Sequence, residues 1–242
     1  MNQDDVKARF AATAAKVAGL EERRRDVLAA QVRAFVPVAG SERALDSAAG
    51  TGALAFALAP LVREVVAVDL VPELLAEGRA RAAAFPNVSF VEGDATALPL
   101  EDASFDLAGT IRSLHHIADP VAAIAELARV TRPGGTVVVI DQIAPDDPAE
   151  AAAVDRFERA RDVSHTRLLP DAELRELFDR HGLDVEACEL EDETRDLAKY
   201  LDLADCEGDA RERALALAPS RPSYVTRLAW YRLRRRPPHG GV

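Results

Sequence analysis

The chain has 242 residues, 48% of them hydrophobic and 29% charged, which suits a folded globular protein of one large domain or two small ones. Its formal net charge of -11 opposes general affinity for nucleic acid, because phosphate repulsion precedes any contact. No apolar run reaches the roughly 18 to 20 residues of a membrane span. The start, Met1-Asn2-Gln3-Asp4-Asp5, lacks a charged-then-apolar signal pattern, and two cysteines, Cys188 and Cys206, give neither a disulfide framework nor metal spacing. A reducing cytoplasm, with no nucleic-acid, membrane or metal partner, is the expected setting for a monomer or homodimer.

Val6 to Phe35 is helical in pattern, with apolar Val6, Phe10, Val17 and Leu20, so residues 1–40 are expected to form amino-terminal helices. Ala44-Leu45-Asp46-Ser47-Ala48-Ala49-Gly50-Thr51-Gly52 then opens from a short apolar strand through a small-residue turn into a helix from Ala53. Small residues let the backbone approach a ligand, and the helix amino terminus offers unpaired N–H groups and a positive dipole end. Nineteen residues beyond Gly50, a second strand, Val65 to Val68, ends in Asp69. A carboxylate at that distance suits the two hydroxyls of a nucleotide ribose.

A helix from Pro72 to about Phe85 follows, then a strand over Val88 to Asp94. Ser104 to Ile111 reads as a fourth strand, and Asp119-Pro120 caps a helix with Val121, Ile124, Leu127 and Ala128 at helical spacing. Arg132-Pro133-Gly134-Gly135 reads as a turn into the unbroken apolar strand Thr136 to Ile140. Beyond Asp141 come a helix over Ala149 to Arg161 and another from Pro170 to Gly182. A sixth strand over Leu183 to Leu190, a helical stretch over 192–218 and a final strand from Tyr224 to Leu233 complete the chain. The tail Arg232 to Pro238 is basic. The alternation implies an α/β sheet with helices on both faces.

Several motifs carry a resemblance in their order and spacing: Leu45-Asp46-Ser47-Ala48-Ala49-Gly50-Thr51-Gly52, Val68-Asp69-Leu70, Glu92-Gly93-Asp94-Ala95, Leu98-Pro99-Leu100 to Phe105-Asp106, Leu114-His115-His116-Ile117-Ala118-Asp119-Pro120 and Arg132-Pro133-Gly134-Gly135. Together they resemble the class I S-adenosylmethionine-dependent methyltransferases, nearest the branch of ubiquinone and menaquinone C-methyltransferases, over roughly residues 40–190. The resemblance implies a Rossmann-like seven-stranded sheet, mostly parallel, with an antiparallel last strand between strands five and six. It implies one domain over 1–242. That domain comprises lid helices over 1–40, a cofactor-binding core over 41–143 and acceptor-side insertions at 144–169 and 192–218.

The implied activity is methyl transfer from S-adenosyl-L-methionine to a small organic acceptor at oxygen or carbon. The alternatives are a non-catalytic binder of that cofactor and a methyltransferase acting on a macromolecule. The resemblance assigns Asp46 and the turn Ala48, Ala49, Gly50, Thr51 and Gly52 to the methionine end, Asp69 to the ribose, Leu70 to the adenine face, and Asp94 with Ala95 to the adenine edge. Arg112, at the end of strand four, joins the cofactor side or takes an acidic substrate group. Where the family usually has glycine this chain has Ala48, so the turn is expected to hold a conformation that alanine accepts.

His115 and His116 lie where a base would act on an acceptor, or else one packs beneath the cofactor and the other caps the next helix. His165, between Arg161 and Arg167, is a candidate catalytic or substrate contact. Arg161 and Phe10 are further candidates for substrate binding, and Asp141 is another group near the acceptor.

Overall fold

The computed structural model describes residues 3–220 and 222–237; Met1 and Asn2 of the acidic start and Pro238 of the basic tail lie outside them. The first element is a single helix, α1 (Gln3–Phe35), not the several helices expected there. It has no proline until Pro37, and its 33 residues span about 50 Å. After it come β1 (Arg43–Ser47), α2 (Ala53–Leu58), β2 (Glu64–Asp69), α3 (Pro72–Arg81), β3 (Val88–Glu92), β4 (Phe105–Ile111), α4 (Pro120–Val130) and β5 (Thr131–Ile143). The remainder is α5 (Pro148–Arg161), α6 (Asp171–Arg180), β6 (Leu183–Asp196), α7 (Leu197–Leu203), α8 (Gly208–Leu217) and β7 (Ser223–Arg235).

The strands form one sheet in the order β3-β2-β1-β4-β5-β7-β6. Neighbours from β3 to β5 pair in parallel, while β7 runs antiparallel to both β5 and β6, so the last strand sits where the resemblance put it. Two hydrophobic cores cover the two faces. On one, Leu45, Val66, Val137 and Val139 pack against Ile124 and Leu127 of α4 and Leu174, Leu177 and Phe178 of α6. On the other, Ala44, Val65, Ile140 and Trp230 pack against Leu54 and Leu58 of α2 and Val32 and Phe35 of α1. Each large side chain fully buried in this way contributes about 1.5–3 kcal/mol.

Three boundaries differ from expectation. Strand β6 continues through residues 192–196, expected as helix, because β7 is long enough to pair with it from Leu183 to Asp196. The stretch Arg132-Pro133-Gly134-Gly135 bulges out of β5, as pairing with β4 jumps from Phe105↔Thr131 to Leu107↔Thr136. The helix after β2 ends as an α-helix at Arg81, with a 3₁₀ turn over Ala82–Ala84. Asp119 caps α4 as the sequence implies, and Asp147 caps α5 in the same way, each with side-chain hydrogen bonds to backbone N–H groups.

Candidate active site

The carboxyl ends of β1 to β5 open onto a cavity of about 520 Å³, roofed by α1 and bounded by β6, β7 and α7. At the turn after β1, Ala48 has φ +53°, in the left-handed region, and Gly50 has φ +57°. The expectation that Ala48 would find a conformation alanine accepts is therefore corrected. The turn keeps the left-handed backbone and alanine carries the strain, about 1–2 kcal/mol for a residue with a Cβ. Ala48, Ala49 and Gly50 line the cavity.

Asp46, Thr51 and Gly52 do not line it, which corrects their direct assignment to a ligand. Asp46 is fully buried, and its Oδ2 accepts the Ala55 N–H at 2.8 Å, tying β1 to the first turn of α2. Burial holds its carboxyl well above the usual range. The Thr51 hydroxyl donates to Glu21 of α1, and Gly52 faces the rings of Phe90 and Phe56.

Asp69 stands on the cavity wall. Its Oδ2 accepts the Gly50 N–H at 2.7 Å and its Oδ1 the Val71 N–H at 2.9 Å, so the backbone fixes the carboxyl while each oxygen keeps a further lone pair. Burial raises its pKa, against the pull of the bonds from Val71 and Gly50. Leu70, Asp94 and Ala95 line the same wall, and Asp94 Oδ1 accepts from the Thr96 N–H and hydroxyl at 2.8 and 2.7 Å. Between them lies Gly93, where a Cβ would come within 2.8 Å of Pro99 and 2.9 Å of Val68.

His115 and His116 line the cavity with ring centroids 4.1 Å apart. Asp141 Oδ1 lies 2.5 Å from His115 Nδ1 and also accepts the Gln142 N–H. A carboxylate only accepts, so Nδ1 carries the proton. Ser164 donates its hydroxyl to Asp162 at 2.6 Å and therefore accepts from His116 Nδ1 at 2.9 Å. Both rings thus have Nε2 as the acceptor nitrogen. Burial and then the neighbouring His115 hold His116 well below the ordinary histidine range, so it stays neutral. Phe10 meets His116 edge-on at 5.0 Å. Beside it, Arg9 of α1 pairs with Asp162 at 2.5 Å.

His165 is the clearest correction. It is buried, it does not line the cavity, and its Nε2 is 3.0 Å from Asp155 Oδ1 of α5. The insertion folds back on itself there, leaving His165 behind His115 rather than facing an acceptor. Arg161 does line the cavity but is engaged by Glu158 at 2.8 Å and stacks on Tyr200 at 4.0 Å. Arg112, at φ +53°, reaches Glu193 at 2.5 Å. Sequence reasoning missed Arg9, Glu21, Gln142, Asp162, Glu193, Arg195 and Trp230, all cavity-lining. The alternation Tyr224, Thr226, Leu228, Trp230 was the available signal for the last of these.

With this geometry in view, residues 45–139 match the family model described as a methyltransferase domain. That segment is similar to a methyltransferase domain. The uncharacterized methyltransferase YcgJ of Bacillus subtilis (strain 168) is 36% identical over 143 residues, 58% of this chain and 56% of its own. A demethylmenaquinone methyltransferase of Clavibacter sepedonicus is 40% identical over 140 residues, 58% of this chain and 57% of its own. The matches span little more than half the length of these relatives. The crystal structure of the YcgJ protein matches 88% of this chain and 100% of its own at a TM-score of 0.83 and 23% identity, a likeness of fold. The matched segment supplies Asp69, Asp94 and both cavity histidines. The residues closing the cavity from α1, β6, β7 and α7 lie outside the matched segment.

Proposed function

We propose that the protein transfers a methyl group from S-adenosyl-L-methionine to a small organic acceptor, at oxygen or carbon. The observation that carries this reading is that Asp69 and His115, whose ring Asp141 holds, line one cavity. A carboxyl fixed by backbone N–H groups beside a small-residue turn is suited to a ribose, and an oriented imidazole is suited to proton removal. The residues fit the cofactor. A Cβ at Gly50 would meet only Glu21, at 3.9 Å, so the turn leaves room beside Asp69. Asp69 would hold the two ribose hydroxyls, Asp94 the adenine amine, the Ala95 N–H the adenine ring, and the backbone of Ala48 to Gly50 the methionine end.

The bound cofactor supplies an electrophilic methyl group on sulfur. The chain has to align the acceptor, remove its proton and exclude water. His115 Nε2 takes the proton, while Asp141 holds the ring and faces the charge it gains. Asp141 is a positioning residue. Phe10 and the length of α1 close the roof. The relative from Clavibacter is named for demethylmenaquinone, which favours an organic acceptor over a macromolecule.

The test is turnover of methyl-labelled S-adenosylmethionine against a panel of phenols, hydroxy acids and carbon acids. Acceptor-dependent formation of S-adenosylhomocysteine is expected. His115→Gln should lose about 10²- to 10⁴-fold in kcat while still binding S-adenosylhomocysteine. Preferential binding of NAD, or full turnover by the variant, would overturn the reading.

A further inference from the structure

Away from Asp69 and Asp94 the cavity runs between α1 and the face formed by β5, β7 and β6. Register sets that face: Gln142 lies opposite Leu228, Ile140 opposite Trp230, Glu191 opposite Leu228, and Glu193 opposite Thr226. Leu28 and Arg24 of α1 look onto it. Two features of this arm are incomplete. The Trp230 Nε1 and Gln142 Oε1 atoms are buried with no hydrogen-bond partner among the described residues, although both side chains line the cavity. Such groups call for an explanation in a folded protein.

The second feature is charge. One carboxylate, Glu193, is shared by three guanidinium groups: Arg112 at 2.5 Å, Arg24 at 3.4 Å, and Arg195. Glu191, two residues back along the strand, accepts from Gln31. The Arg24 side chain is 50% exposed and screened by water, whereas those of Arg112, Arg195 and Glu193 are 27%, 14% and 12% exposed. The sheltered part of the cluster therefore holds two cations and one anion, in a chain whose formal charge is -11. Burial pulls the Arg195 pKa below its ordinary value, as expected for a cation short of counter-charge.

We infer that this arm takes the acceptor as an aryl carboxylate, its ring against Leu228 and Trp230 and its carboxylate against Arg112 and Arg195. This rests on the methyltransferase reading and names the substrate class of the same site. A monoanion balances the sheltered excess of one positive charge, whereas a neutral ring leaves it and a phosphate dianion overshoots it. Of the two roles left open for Arg112, this selects the acidic substrate group and adds Arg195 of β6, while Glu158 already meets the charge of Arg161.

Trp230 is the single tryptophan, so its emission reports on this arm without any turnover. The full chain is titrated with hydrocinnamate and with its neutral amide, and S-adenosylhomocysteine affinity is measured on the same samples by calorimetry. Hydrocinnamate should give a saturable change, with the amide at least about tenfold weaker, the size of one lost hydrogen bond to a charged group. Arg195→Gln should weaken hydrocinnamate by about tenfold or more, and Arg195→Lys, which keeps the charge, by much less. Arg112→Gln gives the same reading should the first variant fail to fold. Equal binding of acid and amide, no binding of either, or indifference to both glutamine variants overturns the inference. Failure to bind S-adenosylhomocysteine while charge-selective binding persists removes the methyltransferase reading and leaves the anion site standing.

Discussion

Replacing Ala48 by glycine is expected to stabilise the protein, although most glycine substitutions weaken a fold. The backbone at Ala48 sits at φ +53°, where a Cβ crowds the following carbonyl at a cost of about 1–2 kcal/mol. Glycine removes that strain but gives the unfolded chain more freedom, returning about 0.4–1 kcal/mol. The methyl is only partly buried, so its lost contacts amount to a fraction of the roughly 0.8 kcal/mol of a fully buried carbon. The balance is a gain of about 0.5 kcal/mol, or roughly 1–2 °C in Tm for a chain of this size. Urea unfolding of both proteins, with equal slopes, measures it. Ala49→Gly is the control, because Ala49 is buried and its φ is not positive. That variant should lose about 0.5–1 kcal/mol. If Ala48→Gly is destabilised as much as its neighbour, the strain assigned to this turn does not exist.

Glu21 has its pKa raised from 4.5 to about 7, first by burial and against the bonds from Thr51 and Arg81. A raised carboxyl favours folding fully below pH 4.5 and loses that contribution as pH rises through about 7. With its side chain 22% exposed, the loss is at most about 3 kcal/mol. Glu21→Gln should therefore exceed wild type in stability near neutral pH by a margin that closes toward pH 4.5, and a margin independent of pH contradicts this. Asp141→Asn should lower kcat about tenfold or more with little change in S-adenosylhomocysteine affinity, because the amide keeps an oxygen acceptor but removes the negative charge that faces the protonated His115 ring; unchanged kcat would show that this charge does not serve His115. Gly93→Ala should lose about 1–3 kcal/mol by chemical denaturation, since its Cβ would press on Pro99 and Val68 at 2.8 and 2.9 Å. An unaffected midpoint would show that the β3 turn yields.

The part of the cavity around Asp69 was legible because its signals are local. A strand, a small-residue turn and a terminal acid lie within one βαβ unit, and their spacing follows from the unit's geometry. The opposite side of the cavity depends on contacts distant in sequence. His165 stood out beside two arginines, but Asp155, ten residues earlier on α5, captures its ring. Residues 192–196 are charged and look helical, yet β7 supplies a pairing edge that overrides that preference. That extension carries Glu193 and Arg195 into the cavity. At Ala48 the family's usual glycine marked the conformation, and the sequence kept the turn while changing the residue, so strain rather than relaxation was the outcome.

In the proposed function Asp69 holds the ribose of an S-adenosyl cofactor in the cavity beneath α1. Calorimetric titration of S-adenosylhomocysteine into wild type and Asp69→Ala tests it most directly. Wild type should bind, and the variant should bind about 1.5–3 kcal/mol more weakly, roughly ten- to a hundredfold in Kd. Equal affinity in the two proteins, or binding of NAD in preference to S-adenosylhomocysteine by wild type, would contradict the account.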